Sequence, residues 1–350
     1  MTFLMVYFSL HALPIIFINA GFVVVLLWHG KKTKVPESRR DGFFLAGTYA
    51  LSVVITPFLL NDTGCTNAGQ DFLFLLGTLF FGSVLSLLVI IVVRNRVINN
   101  RNPRSKEELT YERFLAAIPV GDDTRRDISR KVLHIIISVT PIIVYAIVFN
   151  ADAFFKSQNI LQEYGVSGLG AGRGVNVLIY WGFAYMVTFE DLFRLNAFYC
   201  LPGWGRTWLR FSLEQKERLT FVAAVPFLLG HAPFLMAPFP VFFSMTFVAS
   251  VGDAASSMVG KRFGIHFFPR NHKKTGEGLA AGMIVSFIAV LLVNLYFDLA
   301  NWITAFGMAT ILACVYGIFD IWVTKFDDNL TNTFILGAIA WISYILLNLI

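Results

Sequence analysis

Long apolar stretches alternate with short charged ones along almost the whole chain. A helix that crosses a bilayer needs about 20 mostly apolar residues. Runs of that kind recur at roughly 3–28, 43–60, 72–93, 132–149, 175–189, 219–236, 238–251, 279–297, 302–323 and 331–349. The pattern predicts an all-α, polytopic integral membrane helical bundle of about ten transmembrane helices. The runs at 175–189 and 238–251 are short, so tilted, re-entrant or broken helices are expected there. The Pro-rich stretch Ala232–Pro240 marks the turn of a hairpin over 219–251. The first run is too long for a signal-peptide core and lacks a small-residue cleavage site, so it is expected to stay as a helix.

Composition and charge sharpen this picture. The chain has 350 residues, 56% of them hydrophobic and 14% charged. Soluble domains carry about 25% charged residues, and no polar stretch here is long enough to build one. Every lysine and arginine except Lys156 and Arg173 falls in the alternate segments 29–42, 94–131, 190–218, 252–278 and 324–330. Cytoplasmic loops of membrane proteins carry that excess. These five segments are therefore expected in the cytoplasm, with both termini outside and an even number of spans. The net charge of +6 is explained by this placement, and no nucleic-acid partner is expected. A glycosylation triplet, Asn61-Asp62-Thr63, falls on the expected outer side. Cys65, Cys200 and Cys314 have no spacing that suggests a disulfide framework or a zinc site.

Polar chemistry is unevenly distributed. Residues 1–93 read as accessory N-terminal transmembrane helices, 94–124 as a cytoplasmic linker, and 125–350 as the part that carries chemistry. Within the linker, Ser105 to Ala117 reads as a short surface helix capped by Ser105. There is no internal repeat.

Four constellations stand out. Arg125, Arg126, Arg130, Lys131 and His134 enter the fourth apolar run, with Arg130 and His134 one helical turn apart. Such a cluster either anchors the helix to anionic headgroups or binds phosphate. Glu190, Asp191 and Arg194 close the fifth run, with Glu190 and Arg194 spaced as an i,i+4 pair. The third is the segment VGDAASSMVGKRFGIHFFPRNHKKTGEGLAAG, read as a polar, glycine-rich loop from Val251 to Gly282. Its small residues suit close helix packing, which does not account for Asp253. A carboxylate at depth costs about 2.5–3.5 kcal/mol and needs a partner. Asp253 as a ligand of Mg2+, with Lys261, Arg262, Lys273, Lys274, Thr275 and Glu277 toward phosphates, describes a nucleotide site. The fourth is Asp327-Asp328-Asn329-Leu330-Thr331, whose two acids offer further metal ligands. Asp320, inside the ninth run, either joins that site or pairs with Lys325. There is no Walker A sequence, and Gly168–Gly174 is read as a flexible outer loop.

In order along the chain stand RK-x-x-H (Arg130, Lys131, His134), E-x-x-x-R (Glu190, Arg194), an LR…E…LT…LLG run (Leu209 to Gly230), GDAASSMVGKRFG, KKTGEG and DDNLT. Together, from Arg125 to Gly337, they resemble the polyprenol kinase family: dolichol kinases, phytol kinases and CTP-dependent diacylglycerol kinases. The resemblance implies transfer of the γ-phosphoryl of CTP to the hydroxyl of a membrane lipid alcohol, with a divalent cation. A polyprenol or dolichol-type isoprenoid is the leading acceptor. Two departures stand out: Asn332-Thr333 where a proline is common, and Gly276 where a bulkier residue is common.

On this reading Asp253 and one of Asp327 or Asp328 hold Mg2+, the lysines hold the β- and γ-phosphates, and the remaining Asp or His134 is the base. The site faces the cytoplasm, of either an endoplasmic reticulum or a prokaryotic cell membrane. The same GD…GKRFG…KT-x-EG portion is similar to phosphatidate cytidylyltransferases, and buried acids also suit a membrane transporter. The sequence leaves the lipid and the oligomeric state open.

Overall fold

The computed structural model describes residues 7–61, 64–118, 123–151, 163–268, 271–297, 301–321 and 328–347. Asp327, Lys325, Lys156, Arg270 and the Asp62-Thr63 pair of the glycosylation triplet lie outside these residues, as do the side chains of Arg125, Arg126, Arg130, Lys273 and Asp328. The described chain is helical apart from one small hairpin. Its helices are α1 (Leu13–Lys32), α2 (Pro36–Ile55), α3 (Asn67–Arg101), α4 (Pro103–Glu108), α5 (Tyr111–Ala116), α6 (Asp123–Asn150), α7 (Gly168–Asn196), α8 (Gly203–Ser212), α9 (Ala224–His231), α10 (Phe239–Phe247), α11 (Asp253–Phe263), α12 (Gly276–Tyr296), α13 (Trp302–Ile321) and α14 (Asp328–Leu346). The hairpin strands are β1 (Phe267–Phe268) and β2 (Asn271–Thr275), antiparallel with Phe267 opposite Thr275.

Among the described residues, seven helical segments are long and apolar enough to cross a membrane: Leu10–Lys32, Pro36–Phe58, Asn67–Arg101, Phe239–Phe263, Gly276–Tyr296, Trp302–Ile321 and Asn329–Leu346. The chain is therefore a multi-pass, all-α membrane protein. Of the other three apolar runs, α6 (28 residues) and α7 (29 residues) have the length of a span but carry more polar groups. The stretch Ala224–Met236 is apolar but shorter than the seven.

Two compact units emerge. The first joins Met1–Arg126 to Pro141–Met236, the second Asp127–Thr140 to Ala237–Ile350, and the division inside α6 falls at Pro141. In the first unit α1 packs on α2, and α3 and α9 pack on α7. Its core is aromatic: Phe22 stacks on Tyr49 at 5.0 Å and on Tyr185 at 5.4 Å. Two buried hydroxyls of this stack find partners. Tyr49 donates to Thr188 Oγ1 (3.0 Å) and Tyr185 to Asn19 Oδ1 (2.8 Å).

Two local expectations change. Residues Gly168–Gly174 are the first two turns of α7, capped by Ser167, whose Oγ accepts from the Gly170 N–H at 3.0 Å. Arg173, expected in an outer loop, is buried there and donates to the Met236 carbonyl at 2.8 Å. Gly172 lies against the Tyr145 ring, where a Cβ would clash, so this helix start is packed tightly rather than left open. The linker helix expected over Ser105–Ala117 is two helices, with Ser105 inside the first. Thr110 is the cap of the second, its Oγ1 accepting from the Arg113 N–H at 3.4 Å.

Candidate functional site

The polar segment after Val251 begins as helix rather than loop. Helix α10 continues through a π-helical turn, Val248–Gly252, into α11, so that Phe239–Phe263 forms one long span. A π turn inserts a residue into the helical register and often marks a functional position. Here it sits immediately before Asp253. The helix ends at Phe263, and 264–268 and 271–275 form the approach and the two strands of the β hairpin.

Close packing of α11 on α12 explains most of the small residues. Gly252, Ser256 and Gly260 recur every four residues on one helix, and Gly278, Gly282 and Ser286 do so on the other. A Cβ at Gly278 would lie 2.7 Å from the Ser256 carbonyl oxygen. One at Gly282 would lie 2.6 Å from the Tyr316 ring, and one at Gly252 would strike Ser286 Oγ. The backbones meet because no side chain separates them, as small-xxx-small faces allow.

The charged groups of the second unit gather around this seam. Lys131, from α6, is buried and ion-paired with Asp253 Oδ2. The first and third sequence constellations thus meet through that pair. His134 is also buried, one turn beyond Lys131 on α6. Asp320, at the end of α13, accepts from Lys274 Nζ at 2.6 Å on Oδ1, and Lys274 also donates to the Asp320 carbonyl oxygen at 2.5 Å. The other carboxylate oxygen, Oδ2, faces Ser256 Oγ at 3.5 Å. Tyr316, one turn earlier on α13, donates to the Gly252 carbonyl oxygen at 3.4 Å. Two acids on separate helices are thus each neutralised by a lysine from another element, and Ser256, one turn beyond Asp253 on α11, faces the second acid. Among the described residues the partner of Asp320 is Lys274; Lys325, the alternative read from the sequence, lies outside them. An acid inside an apolar run was the available signal, while its partner, 46 residues away, was not legible.

Other predicted residues hold the frame. Thr275 caps α12, its Oγ1 accepting from the Gly278 N–H at 3.2 Å. Glu277 accepts from the Ile265 N–H at 3.2 Å and contacts His266 Nδ1 at 2.5 Å, closing the hairpin onto α12. Lys261 and Arg262 are exposed in the last turn of α11, and Arg262 lies over the Phe263 ring. Asn329 lies in the first turn of α14, next to Asp328.

Glu190 and Arg194 belong to the first unit and to a different structure. Arg194 pairs with Asp191 at 2.5 Å rather than with Glu190, whose Oε1 is buried and makes no hydrogen bond among the described residues. The Arg194 guanidinium also donates to Tyr111 Oη (2.6 Å) and to the carbonyls of Glu217 (3.1 Å), Arg218 (3.3 Å) and Thr220. Asp191 Oδ2 accepts from the Val222 N–H at 2.6 Å, and Glu217 Oε1 from the Ala223 N–H at 2.9 Å. Burial pushes the Tyr111 phenol above its usual range, which keeps it a neutral donor to the Arg218 carbonyl. The arrangement fastens the 214–223 loop to α7 and α5. The three charges were visible in the sequence, but Asp191 rather than Glu190 as the partner of Arg194, and the loop carbonyls that complete the arrangement, were not.

Among the described residues no three His, Cys, Asp or Glu side chains come together as a metal cage. Mg2+ does not require one: it takes one or two carboxylates and completes its shell with phosphate and water. The hard oxygen donors of Asp253 and Asp320 fit that chemistry. Comparison with protein-family models, with curated proteins and with solved structures finds no match to this chain.

Proposed function

We propose that this protein is a CTP-dependent lipid kinase of the polyprenol kinase type, which transfers a phosphoryl group to the hydroxyl of a membrane lipid alcohol. The single observation that supports the reading best is the pairing of Asp253 with Lys131 and of Asp320 with Lys274 around Ser256. Phosphoryl transfer asks a protein mainly to place charge and hold geometry, and this cluster carries both signs of charge at the end of a span. Asp253 would hold Mg2+ with Asp327 or Asp328, and Asp320 is an additional carboxylate for the role. When bound, the cation neutralises charge on the β- and γ-phosphates.

Lys131 and Lys274 exchange their carboxylate partners for phosphate oxygens when the nucleotide arrives. Lys261, Arg262 and Lys273 extend the basic surface, and Thr275 and Glu277 hold the hairpin that presents it. His134 or Asp328 takes the proton of the acceptor hydroxyl. Arg130 and Asn329 flank this set, while Glu190 and Arg194 support the fold of the first unit. A polyprenol or dolichol-type alcohol is the proposed acceptor, with diacylglycerol and phytol as members of the same class. Counting α6, α7 and the 224–236 stretch as crossings makes ten spans and puts the cluster at the cytoplasmic surface of an endoplasmic reticulum or prokaryotic cell membrane, where CTP is available.

The test is a labelled-nucleotide assay in membranes, with [γ-32P]CTP or ATP against polyprenol, dolichol, phytol and diacylglycerol. We expect a phospholipid and CDP from CTP, and a loss of about 100-fold or more in Asp253→Asn, as for the removal of a transition-state charge stabiliser. Wild-type activity in that variant would sink the role of Asp253. A CDP-lipid with pyrophosphate would replace the kinase reading with a cytidylyltransferase.

A further inference from the structure

Outside the acid–lysine cluster, the first unit holds a second concentration of positive charge. A cavity of about 430 Å3 opens between α5 and α8. Arg113 from α5 and Arg206 and Arg210 from α8 line it, with Glu108 as the one acid, over a floor that includes Phe114 and Phe198. Arg206 and Arg210 stand one helical turn apart, so their side chains share a face. Arg206 is braced by the Leu201 carbonyl at 2.6 Å, and Arg210 lies 3.4 Å from the Ala117 carbonyl. Neither is paired to a carboxylate in those contacts, and the lining carries a net positive charge.

Helix α8 has three distinct stripes. Gly205 and Leu209 are buried against the protein, and Arg206 and Arg210 line the cavity. Trp204, Trp208 and Phe211 form the third stripe, with Trp204 59% and Phe211 65% exposed. A short helix with basic residues on one side and exposed aromatics on another is built to lie in a membrane interface. The aromatic stripe would rest among acyl chains, leaving the arginines at headgroup depth. Planar guanidinium groups match phosphate oxygens in a way that a diffuse basic surface does not.

We infer that the arginine-lined cavity between α5 and α8 binds a terminal phosphate group, carried by a membrane lipid or free in solution. The inference stands apart from the kinase reading, because none of its residues belongs to the acid–lysine cluster. The full chain, purified in a neutral detergent, is titrated with dioctanoyl phosphatidic acid, inorganic phosphate and dioctanoyl glycerol. Binding is read by native mass spectrometry and thermal shift. We expect saturable phosphatidate binding that weakens at high salt and falls about tenfold or more in Arg113→Gln/Arg210→Gln, with partial recovery in Arg113→Lys/Arg210→Lys. Dioctanoyl glycerol is expected to bind equally to wild type and variant.

Competition by inorganic phosphate at similar concentration assigns the site to a free phosphate, and its failure to compete assigns it to a lipid headgroup. Phosphatidate binding of wild-type strength in the double variant overturns the inference. If that variant does not fold, the single change Arg113→Gln at an exposed position decides in the same way.

Discussion

The Asp253–Lys131 and Asp320–Lys274 pairs show how a buried charge is made tolerable in an apolar protein. Each sets a buried group, Lys131 or Asp320, against a part-exposed partner from a distant part of the chain. Removing one partner strands the other, which costs more than the pair is worth. Asp320→Asn leaves Lys274 only uncharged oxygens to bind. We therefore expect this variant to raise the KM for nucleotide and to lower kcat/KM about tenfold in the same membrane assay. Unchanged kinetics would remove Asp320 from the site. Arg194 makes the complementary case. Arg194→Gln leaves the Asp191 carboxylate buried without its counter-charge, and destabilisation of about 3–5 kcal/mol is expected. Denaturation in detergent measures it, and the paired change Arg194→Met/Asp191→Leu should cost less than Arg194→Gln alone. At this scale the acids and bases were legible from the sequence, because charge inside an apolar run is conspicuous. Their partners were not, since Asp253 and Lys131 are 122 residues apart and Asp320 and Lys274 are 46 apart.

Among the elements, the crossing of α11 and α12 carries the strongest steric demand. Gly278 faces backbone atoms and Gly282 the Tyr316 ring, so at these two positions a larger residue has no long flexible side chain to displace. Gly278→Val and Gly282→Val are expected to destabilise the second unit by about 1–3 kcal/mol or more by overpacking. A lowered Tm in detergent, with a smaller effect for Gly307→Val at an open position, is the measurement. Equal effects at all three positions would contradict the close approach. Small residues at four-residue spacing announced this seam in the sequence. The π turn before Asp253 had no such signal, because Val248–Gly252 reads as ordinary apolar helix and only its packing against α12 distinguishes it. The glycine-rich start of α7 misled for the opposite reason. Glycine favours loops in isolation, yet here it allows Tyr145 to pack against the helix.

For the whole molecule, the distribution of lysine and arginine makes a prediction that the helices alone do not. With Cys65, Cys200 and Cys314 replaced by alanine, single cysteines at Ser105, Ser212 and Ser157 report sidedness to an impermeant maleimide. Ser105→Cys and Ser212→Cys are expected to label from the cytoplasmic side and Ser157→Cys from the other. Labelling of Ser105→Cys and Ser157→Cys from the same side would mean that α6 does not cross, and the ten-span topology would fall.

Apolar run length and charge distribution determine that this is a helical, multi-pass membrane protein, because each span must bury its own backbone polar groups by local hydrogen bonding. Those interactions reach only four residues along the chain, so a sequence pattern records them. Which lysine neutralises which acid, where the 239–263 span changes register, and how the Arg194 clasp captures the 214–223 loop depend on contacts between residues far apart in sequence. Only the tertiary structure decides them, since packing brings together groups that no local rule connects.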